Sequence, residues 1–476
     1  MNFEAVIGLE IHVETKSKTK MFSSAPNEFS KTPNTNVTYL DFAFPGTLPV
    51  VNKQAVINAI RVCSALHMSI DREIWFDRKN YFYSDLPKGY QITQQFRPIG
   101  KDGYVDIRVN NKIKRIGIER AHMEEDTCKQ FHMRDYSLLD YNRAGVPLLE
   151  IVSLPEIKNG TEAMEYVNAI RNIVIYSDVS DGKMEEGSLR CDVNISLMPC
   201  GAKKFGTKVE IKNLNSTANI EKAVDFEILR QSKLLLKGLS VVQETRRWDE
   251  TKKETVLMRL KTDAVDYKYF VEPNIVPIKL DEKFISEVIS TCPELLEAKR
   301  KRYIEQFGLS EYDADVILFS KDNALYFEEI CKFTKEYKLA ANWLIGDIQS
   351  YLNKSAISIK EFEIAPSSIA LLINNIATNK ISSKQAKEIF LKTLEKEVVL
   401  EEAIALCGSS FISNDDEILK LVNTTLDEFP QSIIDYFAGK DRSIGFLVGQ
   451  IMKKSHGKVN PKLTNEILLR EINKRK

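Results

Sequence analysis

Alternating apolar and polar residues mark three separated stretches in the first half of the chain. In VIGLEIHVE (6–14), Leu9, Ile11 and Val13 alternate with Glu10, His12 and Glu14. In SLRCDVNISL (188–197), Val193, Ile195 and Leu197 alternate with Asp192, Asn194 and Ser196. In KVEIK (208–212), Val209 and Ile211 alternate with Lys208, Glu210 and Lys212. Successive side chains of a strand point to opposite faces, so each segment reads as a strand with one apolar and one polar face. DRKNYFYSDLPKGYQIT (77–93) interleaves aromatic and charged residues around Pro87 and Gly89, and reads as strand, turn and strand. Helical spacing predicts helices around 52–68, 161–177 and 218–237. After CPE (292–294) amphipathic helical periods take over, and CGSSFISNDDE breaks them near Gly408. The pattern predicts an α+β chain. An antiparallel, β-rich domain covers 1–292, an all-α helical region 293–407, and a small α-helical tail domain 408–476.

Composition narrows the class. The 476 residues, 43% of them hydrophobic, suffice for several cores. Lys plus Arg and Asp plus Glu both number 67, so net charge gives no argument for nucleic acid, and any RNA contact must come from a local patch. The seven cysteines are scattered without a CxxC pair, which fits reduced thiols in a cytoplasmic protein. No basic, apolar leader precedes the first strand and no window approaches a membrane span. Neither GxxxxGK[ST] nor GxGxxG occurs, so phosphate binding cannot be assigned to a P-loop or a dinucleotide fold.

The polar strand faces carry the candidate chemistry. Glu10, His12, Asp192 and Glu210 form a carboxylate-and-imidazole set suited to a divalent cation with a phosphate compound. Each strand alone reads as an ordinary strand with a solvated charged face, and the weight comes from their convergence. HMEEDTCK (122–129) adds His122, Glu124, Glu125 and Asp126, either a cation-binding run or a solvated turn. The aromatics of 77–93 suit either a nucleotide base and its phosphates or a hairpin core. Ser382, Ser383 and Lys384 resemble an amidase triad in order only. Their polar setting before a helical run reads as a helix N-cap.

The succession GLEIHVE, FPGTLPVVN, FDRKNYFYSDLPKGYQIT, IGIERAHMEED, YNRAGVPLLEIVS, SDGKMEEGSLRCDVNIS, KVEIKNLNS, QETRRWDE and DYKYFVEP resembles the B-subunit family of aspartyl/glutamyl-tRNA amidotransferases, the GatB component of GatCAB. SSKQAKEIF (382–390) and GFLVGQIMKKSHGKVNP (445–461) extend the resemblance over essentially the whole chain. It implies a cradle-like catalytic domain that uses ATP to phosphorylate the side-chain carboxylate of misacylated Glu-tRNA(Gln) or Asp-tRNA(Asn), then aminates it with ammonia. The implied partners are a glutamine-hydrolysing amidase A subunit, a small C subunit and the charged tRNA. No Cys-His glutaminase pattern occurs here, which agrees with ammonia arriving from elsewhere.

Within this resemblance, Glu10, His12, Glu125, Asp192 and Glu210 are the expected catalytic residues and ligands of Mg2+, with Mn2+ possible where an imidazole takes part. Lys79, Tyr81, Glu124, Ser188, Arg190, Asn194, Lys212 and Asn213 are the expected contacts to ATP and substrate. Glu124 and Asp126 are available to deprotonate ammonium. Lys453, Lys454, His456 and Lys458 are the expected tRNA contacts. Many members carry a cysteine-bound zinc in the segment matching 21–45, but this chain has no Cys or His there and no zinc is expected. Thr127, Cys128, Lys268 and Val271 also depart from the family pattern. Two other classes fit the same residues: a non-catalytic tRNA-binding scaffold, and a standalone carboxylate ligase using free ammonia.

Overall fold

The structure is a computed structural model that describes residues 3–260, 266–396, 398–409, 415–440, 442–455, 459 and 461–475. They fall into two compact units, 1–296 and 297–476.

In the first unit the strands are β1 (Phe3–Glu14), β2 (Ser69–Ile70), β3 (Glu73–Ile74), β4 (Asp77–Asn80), β5 (Tyr90–Thr93), β6 (Gly100–Val109), β7 (Lys112–Glu125) and β8 (Lys129–His132). They continue with β9 (Ser137–Asp140), β10 (Pro147–Ser153), β11 (Leu189–Pro199), β12 (Val209–Lys212), β13 (Glu244–Asp249), β14 (Glu254–Leu260), β15 (Phe270–Val271) and β16 (Ile278–Lys279). Nine of them make one sheet in the order β14-β13-β12-β11-β1-β10-β7-β6-β2, and β15-β4-β5 form a small second sheet.

The predicted helices are α1 (Lys53–Ala65), α2 (Gly160–Tyr176) and α3 (Thr217–Leu236); α4 (Glu282–Ser290) follows. Local chemistry fixes where three of them start. The side chains of Asn52, Asn159 and Ser216 accept the amides of Gln54, Glu162 and Asn219, partnering donors that helix N-termini leave open.

The main sheet corrects the expectation of purely antiparallel pairing, because β12 and β13 run parallel. The reason is topological: α3 lies between them, and a helical crossover brings the chain back in the same direction. Elsewhere the alternation holds. Leu9, Ile11, Val13, Val193, Ile195, Val209 and Ile211 are fully buried on one face. They share a core with Val167 and Ile170 of α2, Ile220 and Val224 of α3, and Ile60 of α1. The opposite face is left for polar side chains.

In the second unit the helical stretch after residue 310 resolves into Glu311–Leu318, Lys321–Cys331, Tyr337–Trp343 and Gln349–Ser355, the last two joined by a π-helical turn at Leu344–Ile348. Ser310 and Ser320 cap the first two. Ser382 caps Ser383–Leu394 in a reciprocal box with Gln385, in agreement with its polar setting. The last four helices, from Asp415 to Lys474, bury Ile418, Val422, Leu426, Leu447 and Ile451 in a core of their own. No helix among the described residues is long and apolar enough to cross a membrane.

Candidate active site on the polar face of the sheet

Strand register assembles the site. On β1, Glu10 stands opposite Asp192 of β11. Two residues on, His12 stands between Arg190 of β11 and Glu150 of β10. Glu150 in turn faces His122 of β7. Directly opposed side chains sit within about 5.5 Å at Cβ, so these pairings become contacts.

Two groups of ligand-type side chains result, and in each the ligand atoms lie within 4.8 Å of one another: His12, Glu124 and Glu150, and Glu10, Asp192 and Glu210. In the first, Glu150 Oε2 is 3.4 Å from His12 Nε2 and 3.1 Å from His122 Nε2, and Glu124 lies 3.9 Å from both imidazoles. Burial alone would lower the His12 imidazole, but the carboxylates of Glu150, Glu124 and Asp192 outweigh it and raise it to about 9. Burial likewise works to raise Glu150, yet His122 and His12 hold its carboxyl well below the usual range. Glu124 moves the other way, raised by burial and the neighbouring Glu150 charge.

In the second group the Lys212 ammonium pairs with Asp192 and lies 3.3 Å from Glu210. Asn194 Nδ2 donates to Glu10 at 2.8 Å and Thr245 Oγ1 to Glu210 at 2.9 Å. These neighbours aim the three carboxyl groups toward one another, and a hard cation would take the place of the Lys212 ammonium.

The expected set of five ligands is therefore divided, and one member lies elsewhere. Alternation along β7 puts His122 and Glu124 on the site face and turns Glu125 away. Glu125 pairs with Lys88 and accepts the Ile92 amide at 2.9 Å. Glu150 takes part instead, a residue that sequence reasoning missed. Its signal was an acid inside the apolar run PLLEIVS.

The other expected residues divide as well. Lys79 of β4 lies 4.9 Å over the Tyr267 ring; burial opposes its charge, but Glu124 leads the groups that raise its pKa. Tyr81 packs edge-on against Tyr267, and burial pushes its phenol up. Arg190 Nη2 donates to Asp126 at 2.6 Å while its Nε is buried without a partner among the described residues. Ser188 is engaged in a turn, donating to Asp181 and accepting the Lys183 amide, next to Gly187 at φ +85°. Asn213 turns the chain after β12 at φ +59° and is exposed. Glu14, which the alternation places on the polar face of β1, is raised to about 7 by burial and by Asp126.

In the tail, Lys453 is exposed and Lys454 pairs with Glu428 at 2.6 Å, whereas His456 and Lys458 lie outside the described residues.

Comparison with known proteins gives a consistent picture. The profile described as GatB/GatE catalytic domain matches residues 5–286, and the one described as GatB domain matches residues 325–472. Proteins named as the B subunit of aspartyl/glutamyl-tRNA(Asn/Gln) amidotransferase are similar along their full length. That of Lysinibacillus sphaericus is 48% identical over 475 residues, and those of Bacillus velezensis and Geobacillus thermodenitrificans are 49% identical over 476, in each case covering 100% of both chains.

Proposed function

The chain belongs to the GatB/GatE family, and on that premise we propose that it is the kinase and transamidase subunit of a glutamine-dependent ligase acting on misacylated tRNA. In the first step the γ-phosphoryl group of ATP passes to the side-chain carboxylate of Glu-tRNA(Gln) or Asp-tRNA(Asn), and the bridging bond breaks with its electron pair leaving on ADP. In the second, ammonia attacks the acyl carbon, phosphate leaves, and the surplus proton passes to a base. The products are Gln-tRNA(Gln) or Asn-tRNA(Asn).

The observation that carries this reading is the pair of ligand groups on one sheet face, set two residues apart on β1, or about 7 Å. Phosphoryl transfer asks for charge neutralisation and in-line positioning, which two adjacent carboxylate groups with nearby lysines and arginines can provide. The all-oxygen set Glu10, Asp192 and Glu210 suits Mg2+, and the set with His12 also accommodates Mn2+. A bound divalent cation supplies neutralisation of phosphate charge. Lys79, Lys212 and Arg190 face the same region and would contact phosphate oxygens. Glu124 and Asp126 are available to take a proton from ammonium, since only neutral ammonia attacks an acyl phosphate.

Ammonia comes from a glutamine-hydrolysing A subunit in a heterotrimer completed by a small C subunit, in the cytoplasm where charged tRNA is used. The domain limits that accompany this reading are 1–292, 293–407 and 408–476. The test uses the assembled complex. Glutamine-dependent amide formation should require the A subunit, while ammonium should support it without. Asp192→Asn and Glu150→Gln should each lower tRNA-dependent ATP cleavage by about a hundredfold or more, as changes at metal ligands do, with glutamine hydrolysis retained. Near-normal ATP cleavage in both variants would overturn the assignment.

A further inference from the structure

Arg120 belongs to none of the groups above, yet it shares their face. It lies two residues before His122 on β7, opposite Val152 of β10, so the alternation that presents His122 and Glu124 to the site presents Arg120 too. The step along the strand is about 7 Å. Its Nε is buried and has no hydrogen-bond partner among the described residues. The nearby carboxylates Glu150 and Glu124 are already taken up by His12 and His122. A buried donor left unmade is costly, and more so when it is charged. A ligand entering the site would complete it.

An anion suits it best, because a charge-assisted bond is stronger than one to a neutral acceptor. Lys79 lies 4.9 Å over the Tyr267 ring, which packs edge-on against Tyr269 at 5.9 Å, and Arg120 and Lys79 both draw back the Tyr269 phenol that burial, Tyr267 and Glu150 push up. Two basic groups therefore converge at the edge of a cluster suited to a divalent cation. A guanidinium binds phosphoryl oxygens with a planar fork that an ammonium lacks.

We propose that Arg120 contacts the phosphoryl group in transfer, from the edge of the carboxylate groups whose sheet face it shares. This rests on the function proposed above. The covalent step is unchanged: Arg120 exchanges no proton or electron pair and acts by charge and position. A phosphate of the tRNA acceptor end offers the same chemistry, and the experiment separates the two sources.

The experiment compares wild type, Arg120→Ala and Arg120→Lys in the assembled complex. Arg120→Ala is expected to lower kcat for tRNA-dependent ATP cleavage on the order of a hundredfold, the effect of removing one preorganised donor to developing charge. Trapping of ADP with aluminium fluoride should weaken in parallel, while KM for tRNA stays within about threefold of wild type and glutamine hydrolysis is unchanged. Arg120→Lys should recover part of the loss, and added ethylguanidinium should partly restore Arg120→Ala, which a merely misfolded variant would not show. A raised KM for tRNA with unchanged kcat would assign Arg120 to the tRNA phosphate and overturn the proposal. Wild-type kinetics and trapping, or loss of thermal stability alone, would overturn it as well. If the wild-type complex itself cleaves no ATP in response to charged tRNA, the underlying function has failed and not the placement of Arg120.

Discussion

Cation binding to the two ligand groups should differ in its dependence on pH, and the difference can be worked out from the site. His12 is raised to about 9 in the cation-free protein, so at pH 7 its ring is an imidazolium. Because its folded value lies above the ordinary 6.5, His12 contributes stability that is fully present below pH 6.5 and is lost as pH rises through 9. A metal ligates only the neutral ring, so binding at His12, Glu124 and Glu150 at pH 7 must expel a proton, at a cost of about 2.7 kcal/mol for two pH units. Apparent affinity for Mn2+ at this group should rise roughly tenfold per unit from pH 7 and level off above 9. Glu10, Asp192 and Glu210 carry no imidazole, and binding there requires the Lys212 ammonium to move aside instead. Calorimetric titration with Mn2+ at pH 7, in two buffers of different ionisation enthalpy, counts the protons released. Asp192→Asn should remove the binding that is flat with pH and keep the release of about one proton at the His12 group. Glu150→Gln removes the largest charge holding the His12 proton, so proton release at pH 7 should fall with it. Glu125→Gln should leave Mn2+ binding intact, because that side chain is committed to Lys88 and the Ile92 amide. Absence of proton release in wild type, with affinity flat from pH 6.5 to 9, would refute the argument.

Three further outcomes follow from contacts elsewhere. Arg78 holds Glu272 by two bonds, Nε to Oε2 at 2.6 Å and Nη2 to Oε1 at 3.0 Å, and Glu272 is fully buried. Glu272→Gln should destabilise the protein by about 3 kcal/mol in urea unfolding, since breaking one half of such a pair strands the other charge; a loss below about 1 kcal/mol would contradict this. Glu14 is raised from 4.5 to about 7, so in the folded state its neutral form is favoured and stability is lost as pH climbs from 4.5 through 7. Glu14→Gln should remove that slope and gain on the order of 3 kcal/mol at pH 8, measured by urea unfolding across the range; an unchanged slope would count against it. Ending the chain at residue 409 should raise KM for charged tRNA and flatten the log–log salt dependence by about 0.9 for each phosphate that the tail neutralises. Equal affinity and slope in the shortened complex would reassign the tail to packing.

The sequence discloses side-chain parity far better than strand pairing, and the site shows why. Glu10, His12, Asp192 and Glu210 are legible because a period of two places them opposite Leu9, Ile11, Val193 and Ile211, whose burial decides the face. Parity also separates Glu124 from Glu125. HMEED looks like one acidic run until His122 is given a face, after which Glu124 shares it and Glu125 does not. Pairing is different, because nothing local states which strands are neighbours. Glu150 escapes notice because β10 is buried along most of its length and its apolar run hides the period. The parallel β12–β13 pair is hidden for the same reason, as direction is set by the crossover helix α3 and not by either strand. The Arg78–Glu272 pair joins residues 194 positions apart, and through it β15 meets β4 beside Lys79. Charges that look like surface residues in the sequence therefore acquire their partners only when the sheet forms, and its pairing turns five strands, β1, β7, β10, β11 and β12, into two ligand groups.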